Sequence, residues 1–174
     1  MTVHLLSSNK KNKYDLMTLY LNCLWVHILI VLMDKSGTII IIEDDLDDQF
    51  VLEEIFTELA YPNPRKYFFD GELALEYLLT TPDRPFIIIS DVNMPKLNGL
   101  ELRRKLHTDA ALNLKCIPYV FLTTALNHQA VIDAYSTSVQ GFFVKPTGFD
   151  ETKEMIKVMM EYWIRCAAPN NFSS

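Results

Sequence analysis

The chain has 174 residues, 49% of them apolar, enough for one domain with a substantial core. Its net charge is −6, and beyond residues 1–33 there are 13 bases against 21 acids, a balance of −8. No basic stripe remains to neutralise phosphates, which argues against direct nucleic-acid binding. Cys23, Cys116 and Cys166 are odd in number and far apart, and read as buried thiols of a reducing compartment rather than a disulfide framework. His4, His27, His107 and His128 show no metal-ligand spacing.

Leu16 to Met33 is 18 residues without a charge. That barely reaches the length needed to cross a bilayer, and Asn22 and His27 interrupt it. Three lysines precede the run as they would in a signal peptide, yet no small-x-small cleavage site follows. As a membrane span it would keep the N-terminus inside and send everything after it across. Met33-Asp34-Lys35-Ser36-Gly37, with a strand next, reads as an ordinary N-terminus. Residues 1–33 are therefore expected to be an apolar extension. The readings, in order, are that residues 1–32 are not native, that they form a helix packed on the domain or on a second copy, and that they anchor the chain in a membrane. The expected domain covers 34–166, and 167–174 reads as a frayed tail.

From Thr38 strands and helices alternate. Thr38-Ile39-Ile40-Ile41-Ile42 is a β-branched run stopped by Glu43-Asp44-Asp45. A helix over about 46–60 places Leu52, Ile55, Phe56 and Leu59 on one face, with Asp45 or Asp47 to cap its first turn. Tyr61-Pro62-Asn63-Pro64 breaks it, and Lys66-Tyr67-Phe68-Phe69 is a short strand closed by Asp70-Gly71. A helix to about Leu79 shows Ala74, Tyr77 and Leu78 on one face. Phe86-Ile87-Ile88-Ile89 then reads as a strand buried on both faces, ending at Ser90-Asp91. The chain turns through Met94-Pro95 and Asn98-Gly99 into a helix to about His107, and a polar loop follows to Lys115. Ile117 to Leu122 is a fourth strand ending in Thr123-Thr124. A weakly marked helix covers about 127–135, Gly141-Phe142-Phe143-Val144 is a fifth strand ending in Lys145-Pro146, and a helix over about 149–165 aligns Ile156, Met159, Met160 and Trp163.

Five strand–helix units with short loops predict an α/β fold: a doubly wound, five-stranded parallel sheet of flavodoxin-like order 2-1-3-4-5, with helices on both faces. All the strand ends named above then lie on one edge. Glu43, Asp44 and Asp91 would crowd three carboxylates there, each close pair repelling by about 4 kcal/mol at an effective dielectric near 20. Such a site needs a cation. Hard oxygen ligands without His or Cys point to Mg²⁺ or Mn²⁺. Lys145 adds a point charge for a phosphoryl group and Thr123 a hydroxyl donor. The set suits phosphoryl transfer, and a carboxylate can itself be the nucleophile.

Ile42-Glu43-Asp44-Asp45, Asp91-Val92-Asn93-Met94-Pro95 with Gly99, Thr123-Thr124 and Phe143-Val144-Lys145-Pro146 together resemble the receiver domains of bacterial two-component response regulators, over about Thr38 to Trp163. The resemblance implies Asp91 as phosphoacceptor, Asp44 as a direct Mg²⁺ ligand, Glu43 acting largely through metal-bound water, and the Asn93 backbone carbonyl completing the set. It implies that Lys145 pairs with Asp91, that Thr123 and Phe142 form the switch, and that the bond before Pro146 is cis. Glu43 stands where an aspartate is often found, and Phe142 lacks the hydroxyl a tyrosine would bring.

It further implies a phosphoryl acceptor rather than an enzyme, with at most self-phosphorylation from small donors and self-dephosphorylation. Its donor would be a sensor histidine kinase or histidine phosphotransfer protein in the cytoplasm. Few residues follow Trp163, so output is expected through protein contact at the face of the fourth predicted helix, the fifth strand and the fifth predicted helix. A homodimer across that face is open, and the downstream target is unknown. The acidic run Asp44-Asp45-Leu46-Asp47-Asp48 suits either kinase docking or a solvated helix start. Two other classes stand as rivals. A haloacid-dehalogenase-type phosphatase wants a second acid where Asn93 stands. A phosphorylation-independent interaction module would have kept only the fold.

Overall fold

The chain divides between Met33 and Asp34. The structure, a computed structural model, describes residues 37–124 and 127–166. The readings made for residues 1–33 and for the tail beyond Cys166 lie outside the described residues. Among those described, no helix is long and apolar enough to cross a membrane.

The elements in order are β1 (Ile39–Ile42), α1 (Leu46–Glu58), β2 (Arg65–Phe68), α2 (Gly71–Thr80), β3 (Ile87–Ser90), α3 (Gly99–Thr108), α4 (Ala110–Leu114), β4 (Tyr119–Thr123), α5 (His128–Ser136), β5 (Gly141–Val144) and α6 (Phe149–Arg165). The strands form one sheet of order β2-β1-β3-β4-β5, every pair parallel, as the sequence predicts. Isoleucine runs occupy the middle because a strand flanked on both sides and covered on both faces can bury every side chain. Ile39 to Ile42 and Ile87 to Ile89 are all buried.

The two-residue period of a strand divides those runs between two cores. Ile39, Ile41, Ile87 and Ile89 face α1 and α6, where Leu52, Ile55, Phe56, Ile156, Met159 and Met160 complete one cluster. Ile40, Ile42 and Ile88 face the opposite layer with Ala74, Leu78, Leu102, Leu106 and Ala134. The helical spacings read from the sequence thus land on the core side, with Leu59, Tyr77 and Trp163 packed at its edges.

Helix starts are set by short polar side chains that satisfy orphan N–H groups. Asp45 accepts from the Asp47 and Asp48 amides and caps α1. Asp70 caps α2 and Asn98 forms a capping box with Glu101 on α3. Asn98-Gly99 is therefore a helix start rather than a free-standing turn.

Three further expectations are corrected. The polar loop before β4 contains α4, because Asp109 both ends α3 and caps a new helical turn. Cys116 is exposed, not buried: it sits at φ 48 just past the end of α4, and Cys166 is half-buried. The Lys145–Pro146 bond is trans, there being no cis peptide among the described residues. Trans is the lower-energy isomer by roughly 0.5–1 kcal/mol, and the chain before it is still held to the sheet edge by Lys145 N–H donating to the Thr123 carbonyl.

Candidate functional site

Parallel pairing aligns the strand ends on one edge, as anticipated. Asp91 follows β3, and its amide donates to the Ile42 carbonyl at the end of β1 (2.9 Å). That bond carries the ladder one residue past the strand and brings Asp91 beside Glu43. Glu43 is itself tied to β2 by its amide, which donates to the Phe68 carbonyl (2.9 Å). Gln49 of α1 donates to the Glu43 carbonyl (2.6 Å). The result is a group of three carboxylates, Glu43, Asp44 and Asp91, with one oxygen from each lying within 4.8 Å of the others. Glu43 and Asp91 are buried and Asp44 is exposed.

Asp91 is held from several directions. Its Oδ1 accepts the Val92 amide at 2.6 Å. Its carbonyl accepts the Ser90 hydroxyl (2.8 Å), and Gly99 packs so closely that a Cβ there would lie 2.1 Å from the same carbonyl oxygen. The loop between β3 and α3 is clamped at its far end. Lys96, at φ 60, reaches the nearly buried Asp70 carboxylate, and the Leu97 carbonyl accepts the Gly71 amide. Asn93 is exposed on this loop two residues beyond Asp91.

Lys145 follows β5 and reaches across the edge. Its ammonium donates to Glu43 Oε2 at 2.5 Å and to Asp48 Oδ2 at 2.6 Å. The expected pairing with Asp91 is thus corrected: Asp91 acts on Lys145 through space, while the contacts go to the first strand end and to α1. An ammonium has three protons, and this one directs two of them at Glu43 and Asp48. Burial pushes the Glu43 carboxyl up to about 7, against the hydrogen bond from Lys145 that pulls it down. Burial also works against the Lys145 charge, but the bonds to Asp48 and Glu43 outweigh it and its pKa lies above the ordinary lysine value.

Thr123 closes β4 and is fully buried. Phe142 on β5 is half-buried, its ring 5.7 Å from that of Phe121, which lies in turn 5.1 Å from Tyr119. Sequence reasoning missed Asp48. The acidic run was its only signal, and tertiary placement sorts that run residue by residue. Asp44 joins the carboxylate group, Asp45 caps the helix, Asp47 stays exposed and Asp48 binds Lys145.

A doubly wound sheet with an acidic pocket at its strand ends, faced by one lysine, defines a class of α/β proteins that place charge chemistry at the switch point. Residues 39–157 match the model of the response regulator receiver domain, and the chain belongs to this family of two-component signalling proteins. The probable methanogenesis regulatory protein FilR2 of Methanothrix harundinacea is 27% identical over 130 residues, covering 72% of this chain and 83% of that protein. Among solved structures, the phosphorylated cyanobacterial phytochrome response regulator RcpA superposes with a TM-score of 0.70 at 26% identity, covering 77% of this chain and 99% of that one. The Mn²⁺-bound form of response regulator Rcp1 gives 0.68 at 25% identity, covering 76% and 99%.

Proposed function

We propose that Asp91 is the phosphoacceptor of this receiver domain and that the protein signals by changing its contacts with other proteins. One observation carries the reading: a buried, hydrogen-bonded carboxylate at the end of β3 shares its pocket with two more carboxylates and lies opposite an enclosed lysine. The donor is the phosphohistidine of a sensor histidine kinase or of a phosphotransfer protein, which places the domain in the cytoplasm. An Asp91 oxygen forms the new O–P bond as the N–P bond breaks, and the imidazole leaves with the bonding electron pair.

Glu43, Asp44, Asp91 and the Asn93 carbonyl would hold Mg²⁺, or Mn²⁺, the ion bound by response regulator Rcp1, and the clustering of hard oxygen donors fits such an ion. When bound, the ion supplies positive charge to the phosphoryl oxygens. Lys145 supplies a second positive charge from the opposite side. The acyl phosphate adds about 1.5–2 negative charges where a carboxylate stood. Thr123 donates its hydroxyl to a phosphoryl oxygen, and Phe142 moves with it against Phe121.

That movement repacks the face of α5, β5 and α6. Ile132 and Tyr135 on α5, Val144 on β5, and Val158 and Tyr162 on α6 are exposed there, which supports protein contact, including a homodimer, as the output. Incubation with acetyl phosphate and Mg²⁺ should label the wild-type protein at Asp91 and leave Asp91→Asn unlabelled. Label retained by Asp91→Asn would remove the role from Asp91. Continuous turnover of a phosphoester would make the protein a phosphatase instead.

A further inference from the structure

We propose that Asp48 is a positioning residue that holds the Lys145 ammonium away from Asp91 until a phosphoryl group arrives. The inference rests on the phosphoacceptor reading above. Of the two carboxylates that bind Lys145, Glu43 is enclosed and Asp48 is not: their side chains are 3% and 41% exposed, and that of Lys145 is 10% exposed. Breaking the contact with Glu43 would leave an enclosed carboxyl and an enclosed ammonium without the hydrogen bond they share, which is costly. Releasing Asp48 costs little, because water takes over the solvation of a half-exposed acid. The ammonium therefore has one partner it keeps and one it can give up.

The surroundings allow that exchange. Asp48 and Lys145 both line a cavity of about 250 Å³, together with Val51, Pro146, Thr147 and Thr152, so neither side chain is packed tight on that side. Asp45 is committed to capping α1, and Asp47 is exposed outside the Lys145 contact. Asp48 alone of the helix-start acids competes with an incoming phosphoryl group for the ammonium. It also joins the state of the pocket to the first turn of α1, since the acid released on phosphorylation belongs to that turn.

Competition by a half-exposed ion pair weakens phosphoryl binding about two- to fivefold. The test is a titration of the full chain with beryllofluoride, a phosphoryl mimic, in saturating Mg²⁺, followed by ¹⁹F NMR. Asp48→Asn should bind about two- to fivefold more tightly than wild type, Asp48→Glu should return toward the wild-type affinity, and the thermal midpoints should barely differ. Asp47→Asn removes the same charge from the same turn and should leave affinity unchanged. Asp48→Ser reads out in the same way if the asparagine variant folds poorly. Unchanged or weaker binding by the Asp48 variants, or equal tightening in Asp47→Asn, would overturn the positioning role. Wild-type protein that ignores beryllofluoride would overturn the phosphoacceptor reading, and this inference with it.

Discussion

Replacing Glu43 by glutamine should flatten the loss of stability between pH 4.5 and about 7 in the metal-free protein. Glu43 is 3% exposed, and burial moves its carboxyl from 4.5 to about 7 even with Lys145 bound to it. The folded protein therefore holds this proton more tightly than the unfolded chain does. Its contribution to stability is complete below pH 4.5, shrinks as pH rises, and is gone above about pH 7. The interval corresponds to roughly 3 kcal/mol, a large share of the stability of an ordinary domain. Urea unfolding in a chelator, followed by circular dichroism from pH 4.5 to 8, should show the wild type losing about that much relative to Glu43→Gln. Saturating Mg²⁺ should flatten the wild-type curve, because a divalent ion favours the charged carboxylate. Parallel curves for wild type and variant in the chelator would refute the assignment of the buried proton to Glu43.

Gly99→Ala should destabilise the fold by about 1–3 kcal/mol, as overpacking does. The new methyl would lie 2.1 Å from the Asp91 carbonyl oxygen and 2.9 Å from the Phe121 ring. Thermal unfolding checks the loss, and labelling by acetyl phosphate should slow in parallel because the strain falls on Asp91 itself. Glu53 shows the opposite pH behaviour to Glu43. The hydrogen bond from Arg65, with that from Tyr67, holds its carboxyl below 4.5. Its stabilising effect is present above that pH and fades as pH falls further. Because Glu53 is 43% exposed, Glu53→Gln should cost no more than about 1 kcal/mol at pH 7 and progressively less as pH falls below 4.5 in chemical unfolding.

The order of the strands, the parallel sheet and the gathering of charged side chains at one sheet edge were legible in the chain. Period is a local property: four isoleucines at 39–42 and three at 87–89 can be satisfied only between neighbours on both sides and cover on both faces. The same holds for Glu43, Asp44, Asp91, Thr123 and Lys145, since a parallel sheet places every carboxyl end on one edge whatever the loops do. The short helix at 110–114 was hidden because its few residues carry no apolar period, and only the capping of Asp109 reveals it. Cys116 looked like a core thiol by residue type, but a left-handed turn past a helix end takes it outward.

What side chains at a shared edge bind is a different kind of question. Ammonium and carboxylate groups find their partners through distances of a few ångströms, set by how α1 packs on the sheet rather than by spacing along the chain. Lys145 and Asp48 are 97 positions apart and Lys145 and Glu43 are 102 apart, so no local pattern joins them. Sequence determined which charges meet at the pocket. Tertiary packing decided that the lysine rests on Glu43 and Asp48 instead of Asp91, and that one carboxyl of the group is buried deeply enough to keep its proton near neutral pH.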